Sequence, residues 1–229
     1  MPRAHFSSLK AGTMLKKRMF IALDISSADK VNIAQWREQH LDLQFKAVAA
    51  ENFHITLAFL AFIDPQQQAN IEQSINQQHT TIQQRFKALA QQKDALLDLP
   101  NTAPNAVPIV LSKIAYFKTA KVLHLTPTNC PDWLLDLNDT ISQLCCRCNI
   151  PLQDRIYQPH LSLYRKAKLP ELVNLAALQK NVIAQTVNIT SFSLYHSYST
   201  PSGVHYEAIK TCKLSSTTKK RNSSNGKYH

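Results

Sequence analysis

Two short segments of this chain share one layout. The first reads Asn52-Phe53-His54-Ile55-Thr56-Leu57-Ala58-Phe59-Leu60, and the second, 106 residues later, reads Gln158-Pro159-His160-Leu161-Ser162-Leu163-Tyr164-Arg165. Each contains histidine, apolar, hydroxyl, apolar. Successive side chains of a strand alternate faces. His54 and Thr56 are therefore expected on one face, with Phe53, Ile55, Leu57 and Phe59 on the other. His160 and Ser162 repeat the arrangement, with Leu161 and Leu163 behind them. Two imidazoles facing one cleft can act as acid and base on opposite sides of one bond, because histidine titrates near neutrality.

Taken alone, histidine followed two residues later by serine or threonine is a weak signal. About one such match is expected by chance among nine histidines. Five occur, at His5, His54, His79, His124 and His160. His5 falls in a basic N-terminal segment and His79 in a glutamine-rich helix, so neither suits a strand site. Val122-Leu123-His124-Leu125-Thr126 is strand-like and a serious rival, although Pro127 ends it at once. His124 is read as a hydrogen-bonded residue on a half-exposed strand.

The elements that must position these residues follow from periodicity. Residues 18–24 read as a buried strand. Ser26 or Ser27 can cap a helix to about His40, with Val31, Ile33, Ala34, Trp36 and Leu41 as apolar positions. The first histidine strand follows at about 52–60. Asp64-Pro65 starts a helix along which Ile71, Ile75, Ile82, Phe86 and Leu89 keep helical spacing. Its many glutamines read as a solvated face, followed by a flexible insertion through 94–107. Residues 108–117 and 121–126 resemble a strand pair. Asp132 can cap a helix carrying Trp133, Leu134, Leu137, Ile141 and Leu144. The second histidine strand covers about 159–165. Strands near 187–198 and 204–212 turn at Thr200-Pro201-Ser202-Gly203. This order predicts an α+β fold with mostly antiparallel sheets.

Composition sets further bounds. At 229 residues the chain can bury a core as one domain or two small lobes. No apolar run approaches a membrane span, and Asp24 interrupts the first apolar stretch too early for a signal peptide. A cytoplasmic protein with no membrane association is expected. The net charge of +11 suggests nucleic acid, but residues 1–18 and 213–229 each hold five Lys/Arg and no acids, leaving the body at about +1. The excess therefore belongs to two solvated tails. Five cysteines (Cys130, Cys145, Cys146, Cys148 and Cys212) are an odd number and fit free thiols better than a disulfide framework. Cys145-Cys146-Arg147-Cys148 has no second ligand pair at zinc-site spacing.

Four blocks in order carry a family resemblance. They are Arg18-Met19-Phe20-Ile21-Ala22-Leu23-Asp24, the two histidine segments, and the closing Phe192-Ser193-Leu194-Tyr195 with Tyr206-Glu207. Over about residues 18–213 the chain resembles the bacterial RNA 2′,3′-cyclic phosphodiesterases, also called 2′-5′ RNA ligases, of the two-histidine phosphoesterase superfamily. The family usually has glycine after the first Phe-Leu, where this chain has Ala61, and Ser162 stands for the commoner threonine.

The resemblance implies two pseudo-symmetric lobes over 18–213, each an antiparallel sheet with helices outside and the cleft between them. Residues 1–17 and 214–229 would be a flexible basic extension and a disordered basic tail. It implies His54 as general acid and His160 as general base, acting on RNA with a 2′,3′-cyclic phosphate end. Thr56 and Ser162 would donate to the phosphate oxygens. Arg165 could add a charge-assisted contact, although it lies off the parity of His160 and Ser162 and a surface arginine is the alternative. Phe20 could stack on a base or belong to the core. No cofactor and no metal are implied, and a monomer is expected. The competing reading is a non-catalytic protein that binds RNA ends through its tails; a weaker one is a metal-bound hydrolase using His and Cys.

Overall fold

A computed structural model describes residues 15–41, 43–94, 106–168, 175–201 and 203–214. Most of the basic tails and most of the insertion expected at 94–107 lie outside the described residues. The elements run β1 (Lys17–Asp24), α1 (Ser27–His40), β2 (Lys46–Ala47), a 3-10 turn (Ala50–Asn52), β3 (His54–Ile63), α2 (Pro65–Asp94), β4 (Val107–Leu111), β5 (Lys113–Phe117), β6 (Val122–Thr126), α3 (Asp132–Arg147), β7 (Leu161–Arg165), α4 (Leu175–Gln179), β8 (Gln185–Ile189), β9 (Ser191–Thr200) and β10 (Gly203–Lys213). They form two four-stranded antiparallel sheets, β10-β9-β1-β3 and β2-β7-β6-β5, and a two-stranded sheet β4-β8. The fold is α+β with two similar lobes. In each, a histidine motif begins the second strand of an antiparallel pair, β1–β3 or β6–β7, and the chain between the two strands includes a helix.

Local chemistry accounts for the starts of α1 and α2, whereas at α3 Pro131, not Asp132, takes the cap position and no side chain caps the helix. The Ser26 hydroxyl accepts from the Asp29 N–H at 3.0 Å. At α2 the Asp64 carboxylate accepts from the Gln67 N–H at 2.8 Å, and the Gln67 side chain accepts in return from the Asp64 N–H at 3.2 Å. Ile71, Ile75, Ile82 and Phe86 are buried. Two glutamines do more than face solvent: Gln67 donates to the Asn149 carbonyl and Gln83 to that of Lys213, each at 2.8 Å.

Three expectations change. The segment 108–117 divides at Ser112: β4 pairs with β8, and only β5 pairs with β6. The segment 187–198 likewise divides at Thr190. Leu214, expected to begin the tail, is fully buried and donates its N–H to the Thr190 carbonyl at 2.7 Å. Strand-like composition on both sides hides such divisions, because a strand that changes sheets keeps its composition.

Behind the two motifs lies Arg37 of α1, only 5 % exposed. Its guanidinium donates to the Val48 carbonyl at 2.6 Å and the Leu163 carbonyl at 3.3 Å. It also lies over the rings of Phe53 and Tyr164. One buried cation thus ties the residue before His54 to the strand that carries Ser162.

Both motif strands contain an extra residue. Ala22 pairs with Thr56 and Ile21 with Ala58, so Leu57 is unpaired; Leu123 pairs with Tyr164 and His124 with Ser162, so Leu163 is unpaired. A bulge reverses the alternation beyond it. Phe59, expected on the apolar face with Ile55, therefore turns to the Thr56 side, where the Arg18 guanidinium lies 5.1 Å from its ring centroid. The bulged carbonyls do not go unpaired. Leu57 accepts from Asn138 of α3 at 2.7 Å, and Leu163 from the Val48 N–H at 2.9 Å.

A second bulge in β3 sets Ala61 at φ 57°. A side chain in this left-handed region costs about 1–2 kcal/mol, while a glycine there gives back about 0.5–1 kcal/mol through the freer unfolded chain. Ala61→Gly is therefore expected to stabilise the protein by about 0.5–1 kcal/mol, raising the melting temperature by about 2 °C at this size. Thermal unfolding followed by circular dichroism checks this; a lower midpoint would contradict the strain assigned to Ala61.

Candidate active site

Each motif histidine is anchored in the same way. His54 Nδ1 lies 2.7 Å from the Asn52 carbonyl, and His160 Nδ1 lies 2.8 Å from the Gln158 carbonyl. A carbonyl only accepts, so each Nδ1 must carry the hydrogen. Nε2 of the neutral ring is then a free lone pair. His124 makes the same two-residue reach from within β6, more loosely, with its Nδ1 3.3 Å from the Val122 carbonyl.

Rings brace the imidazoles. His54 contacts Phe20 at 4.9 Å between centroids and Tyr206 edge-on at 5.1 Å. His160 contacts Phe117 edge-on at 4.8 Å and His124 at 5.1 Å. Phe20 is 4 % exposed and also stacks on Tyr195. It belongs to the core, as one of the two sequence readings held, and has no open face for a base. Tyr195 in turn donates to the Asp24 carboxylate at 2.6 Å, which also accepts from Ser191 and Ser193. Asp24 pairs with His54 across β1 and β3. These hydroxyls fix the end of the strand on which His54 depends.

Both imidazoles are half-buried, and burial lowers both pKa values. For His54 the value falls to about 4: burial is the largest cause, opposed by the bond to Asn52 and reinforced by charge on Arg165, His160 and Lys30. For His160, burial is again first, opposed by the Gln158 carbonyl and reinforced by Arg165 and Arg155. Arg165 thus acts on both rings. The bulge at Leu163 explains how: it restores Arg165 to the His160 side despite its sequence parity. Its guanidinium is exposed and reaches the Tyr206 hydroxyl at 3.5 Å. Thr56 and Ser162 are both half-buried on their strands.

His124 departs from its expected place. It is hydrogen-bonded, to the Val122 carbonyl, but 3 % exposed rather than half-exposed, because the rings of Phe117 and His160 cover it. Its ring stacks on Phe117 at 4.1 Å and meets His160. Tyr206, Asn138 and Tyr157 also escaped attention; Tyr157 donates to the Thr56 carbonyl at 3.1 Å. Only Tyr206 had a sequence signal, since it lies in the closing block of the resemblance. The cysteines are all free, and among the described residues no group of three or more His, Cys, Asp or Glu could hold a metal ion. No helix among the described residues is long and apolar enough to cross a membrane.

A groove of about 840 Å³ opens beside the pair. Thr56 and His160 line it, with Phe59, Phe117, Lys118 and Arg155. Its lining combines aromatic rings with charges of both signs, Asp154 standing beside Arg155.

Comparisons with known proteins agree with this construction. An RNA 2′,3′-cyclic phosphodiesterase of Methanocaldococcus jannaschii is 27% identical over 202 residues, which is 84% of this chain and 98% of that protein. The fold is similar to that of E. coli LigT complexed with 3′-AMP, with a TM-score of 0.63 at 20% identity, covering 87% of this chain and 98% of the other. It is also similar to a crystal structure described as a phosphoesterase, with a TM-score of 0.64 at 21% identity, covering 88% and 99%. Residues 25–200, which span both histidine motifs, match the 2′-5′ RNA ligase superfamily. With paired motifs, paired lobes and that match in agreement, the chain belongs to the 2′-5′ RNA ligase superfamily.

Proposed function

We propose that this protein hydrolyses RNA 2′,3′-cyclic phosphate ends to 2′-phosphomonoesters by acid–base chemistry between His54 and His160. The observation that carries the reading is the shared anchoring of the two rings: Nδ1 bound to a carbonyl two residues back, with Arg165 acting on both.

The reaction opens a strained five-membered ring. Water attacks phosphorus in line with the 3′ oxygen. His160 Nε2 takes the water proton as the new P–O bond forms. His54, carrying a proton on Nε2, gives it to the 3′ oxygen as that bond breaks. The product holds its phosphate on the 2′ oxygen, and the two rings have exchanged protonation states. Thr56 and Ser162 hydroxyls donate to the non-bridging oxygens, and Arg165 balances their charge.

In the empty site, burial and the neighbouring cations keep His54 neutral at pH 7. An anionic phosphate offsets those cations and supplies the countercharge that a protonated His54 needs. The two imidazoles then titrate as a pair. Ligation is the same ring opening with a 5′-hydroxyl in place of water: His160 takes the hydroxyl proton, His54 protonates the 3′ oxygen, and a 2′-5′ bond results. The name of the Methanocaldococcus relative supports the hydrolytic direction. The RNA body would lie in the adjoining groove, where Phe59 and Phe117 offer rings and Lys118 a charge. Five unpaired cysteines favour a reducing, cytoplasmic setting.

Two predictions follow from the roles assigned. His54→Ala and His160→Ala should each lower kcat on an oligonucleotide ending in 2′,3′-cyclic phosphate by about 10²–10⁴-fold, the range of a lost general acid or base. EDTA should leave the wild-type rate unchanged. Full activity in either variant would remove its assigned role. Lys118→Ala should raise KM about threefold with kcat nearly unchanged, and make the salt dependence of binding shallower by about 0.7, one single-strand phosphate contact. An unchanged KM and salt slope would place the RNA elsewhere.

A further inference from the structure

The third histidine motif, His124-Leu125-Thr126, is placed against the second. His124 pairs with Ser162, and Leu125 with Leu161, in the ladder between β6 and β7. Its ring meets His160 with 5.1 Å between centroids and 63° between planes. Phe117 stacks on His124 and presses edge-on against His160, so the three rings form one cluster. Thr126 shares the face of His124 and donates its hydroxyl to the Pro159 carbonyl at 2.7 Å. That carbonyl lies between Gln158, which accepts from His160 Nδ1, and His160 itself. Both the acceptor and the imidazole therefore hang on a short segment outside any strand, and Thr126 holds its centre.

We propose that His124 and Thr126 are positioning residues for His160, an assignment that rests on the two-histidine reading above. Thr126 fixes the peptide segment that carries the ring and its Nδ1 acceptor. His124 and Phe117 fix the plane of the ring. Together they hold the direction in which Nε2 presents its lone pair to the attacking water. His54 has the corresponding support from Phe20 and Tyr206. Small displacements of a reacting group cost rate steeply, about 10²-fold for 1 Å. The motif that competes with the other two in the sequence thus serves one of them.

The test uses four variants of the full chain and two readouts. Thr126→Val keeps the shape and removes the hydroxyl; Thr126→Ser restores it. His124→Ala removes the ring contact; His124→Phe restores a ring. With RNA ending in 2′,3′-cyclic phosphate, Thr126→Val and His124→Ala are expected to lower kcat about tenfold with KM within about twofold. The Ser and Phe variants are expected within about threefold of wild type. In ¹H–¹⁵N spectra, the His160 Nδ1–H signal should exchange with water faster in the Val and Ala variants and as in wild type in the other two. An unchanged kcat and His160 signal in both Thr126→Val and His124→Ala would overturn the proposal, as would Ser and Phe variants no better than Val and Ala. A wild-type protein without turnover would count against the cyclic-phosphate reading alone, because the His160 signal still decides the positioning.

Discussion

A hydrogen bond from a histidine ring to the chain just before its strand, two residues back, is the constraint on which the site depends. It appears at His54 and His160 with nearly equal lengths, 2.7 and 2.8 Å. It fixes which nitrogen carries the hydrogen and so which nitrogen can do chemistry. His124, in the middle of β6, makes the same bond at the longer distance of 3.3 Å. The same bond stabilises the charged ring, and so works against the burial that holds both rings neutral. An anion bound in the cleft acts in the same direction as that bond, favouring the charged ring.

A second constraint is shared by the two lobes. Each motif strand has one extra residue directly after its hydroxyl, Leu57 after Thr56 and Leu163 after Ser162. The residue five positions beyond each histidine is turned by this bulge, so that Phe59 lines the groove and Arg165 acts on both rings. Donors from other elements hold the bulged carbonyls: Asn138 from α3 in one lobe, and Arg37 from α1 with Val48 in the other. The buried guanidinium of Arg37 also contacts Phe53, next to His54. Each motif therefore depends on chain distant in sequence, and the two are braced together from behind.

Much of this could be read from residue types. The paired motifs, the α+β class, the starts of α1 and α2 and the burial of Ile33, Trp36, Ile71 and Ile75 all follow from alternation, helical spacing and caps. What could not be read has common physical causes. A bulge inserts one residue without a compositional mark, so the facing of Phe59 and Arg165 was out of reach. Arg37 scores as polar in any amphipathic pattern, yet its long side chain is buried beneath two aromatic rings. His124 reads as half-exposed because alternation presumes one open face, whereas the rings of Phe117 and His160 cover that face at this position. Ser112 and Thr190 divide segments that are strand-like on both sides, so the change of sheet leaves no mark in the alternation.

The reactivity assigned to this site depends on two half-buried rings whose Nε2 atoms are both unprotonated in the empty site, His54 gaining its Nε2 proton only with the phosphate bound. Long-range ¹H–¹⁵N spectra of the unliganded protein at pH 7 read that state directly. The account predicts neutral imidazoles protonated on Nδ1 for both His54 and His160, with His54 remaining so down to about pH 4. A ring bearing its hydrogen on Nε2, or a His54 that titrates near its ordinary value of 6.5, would contradict it.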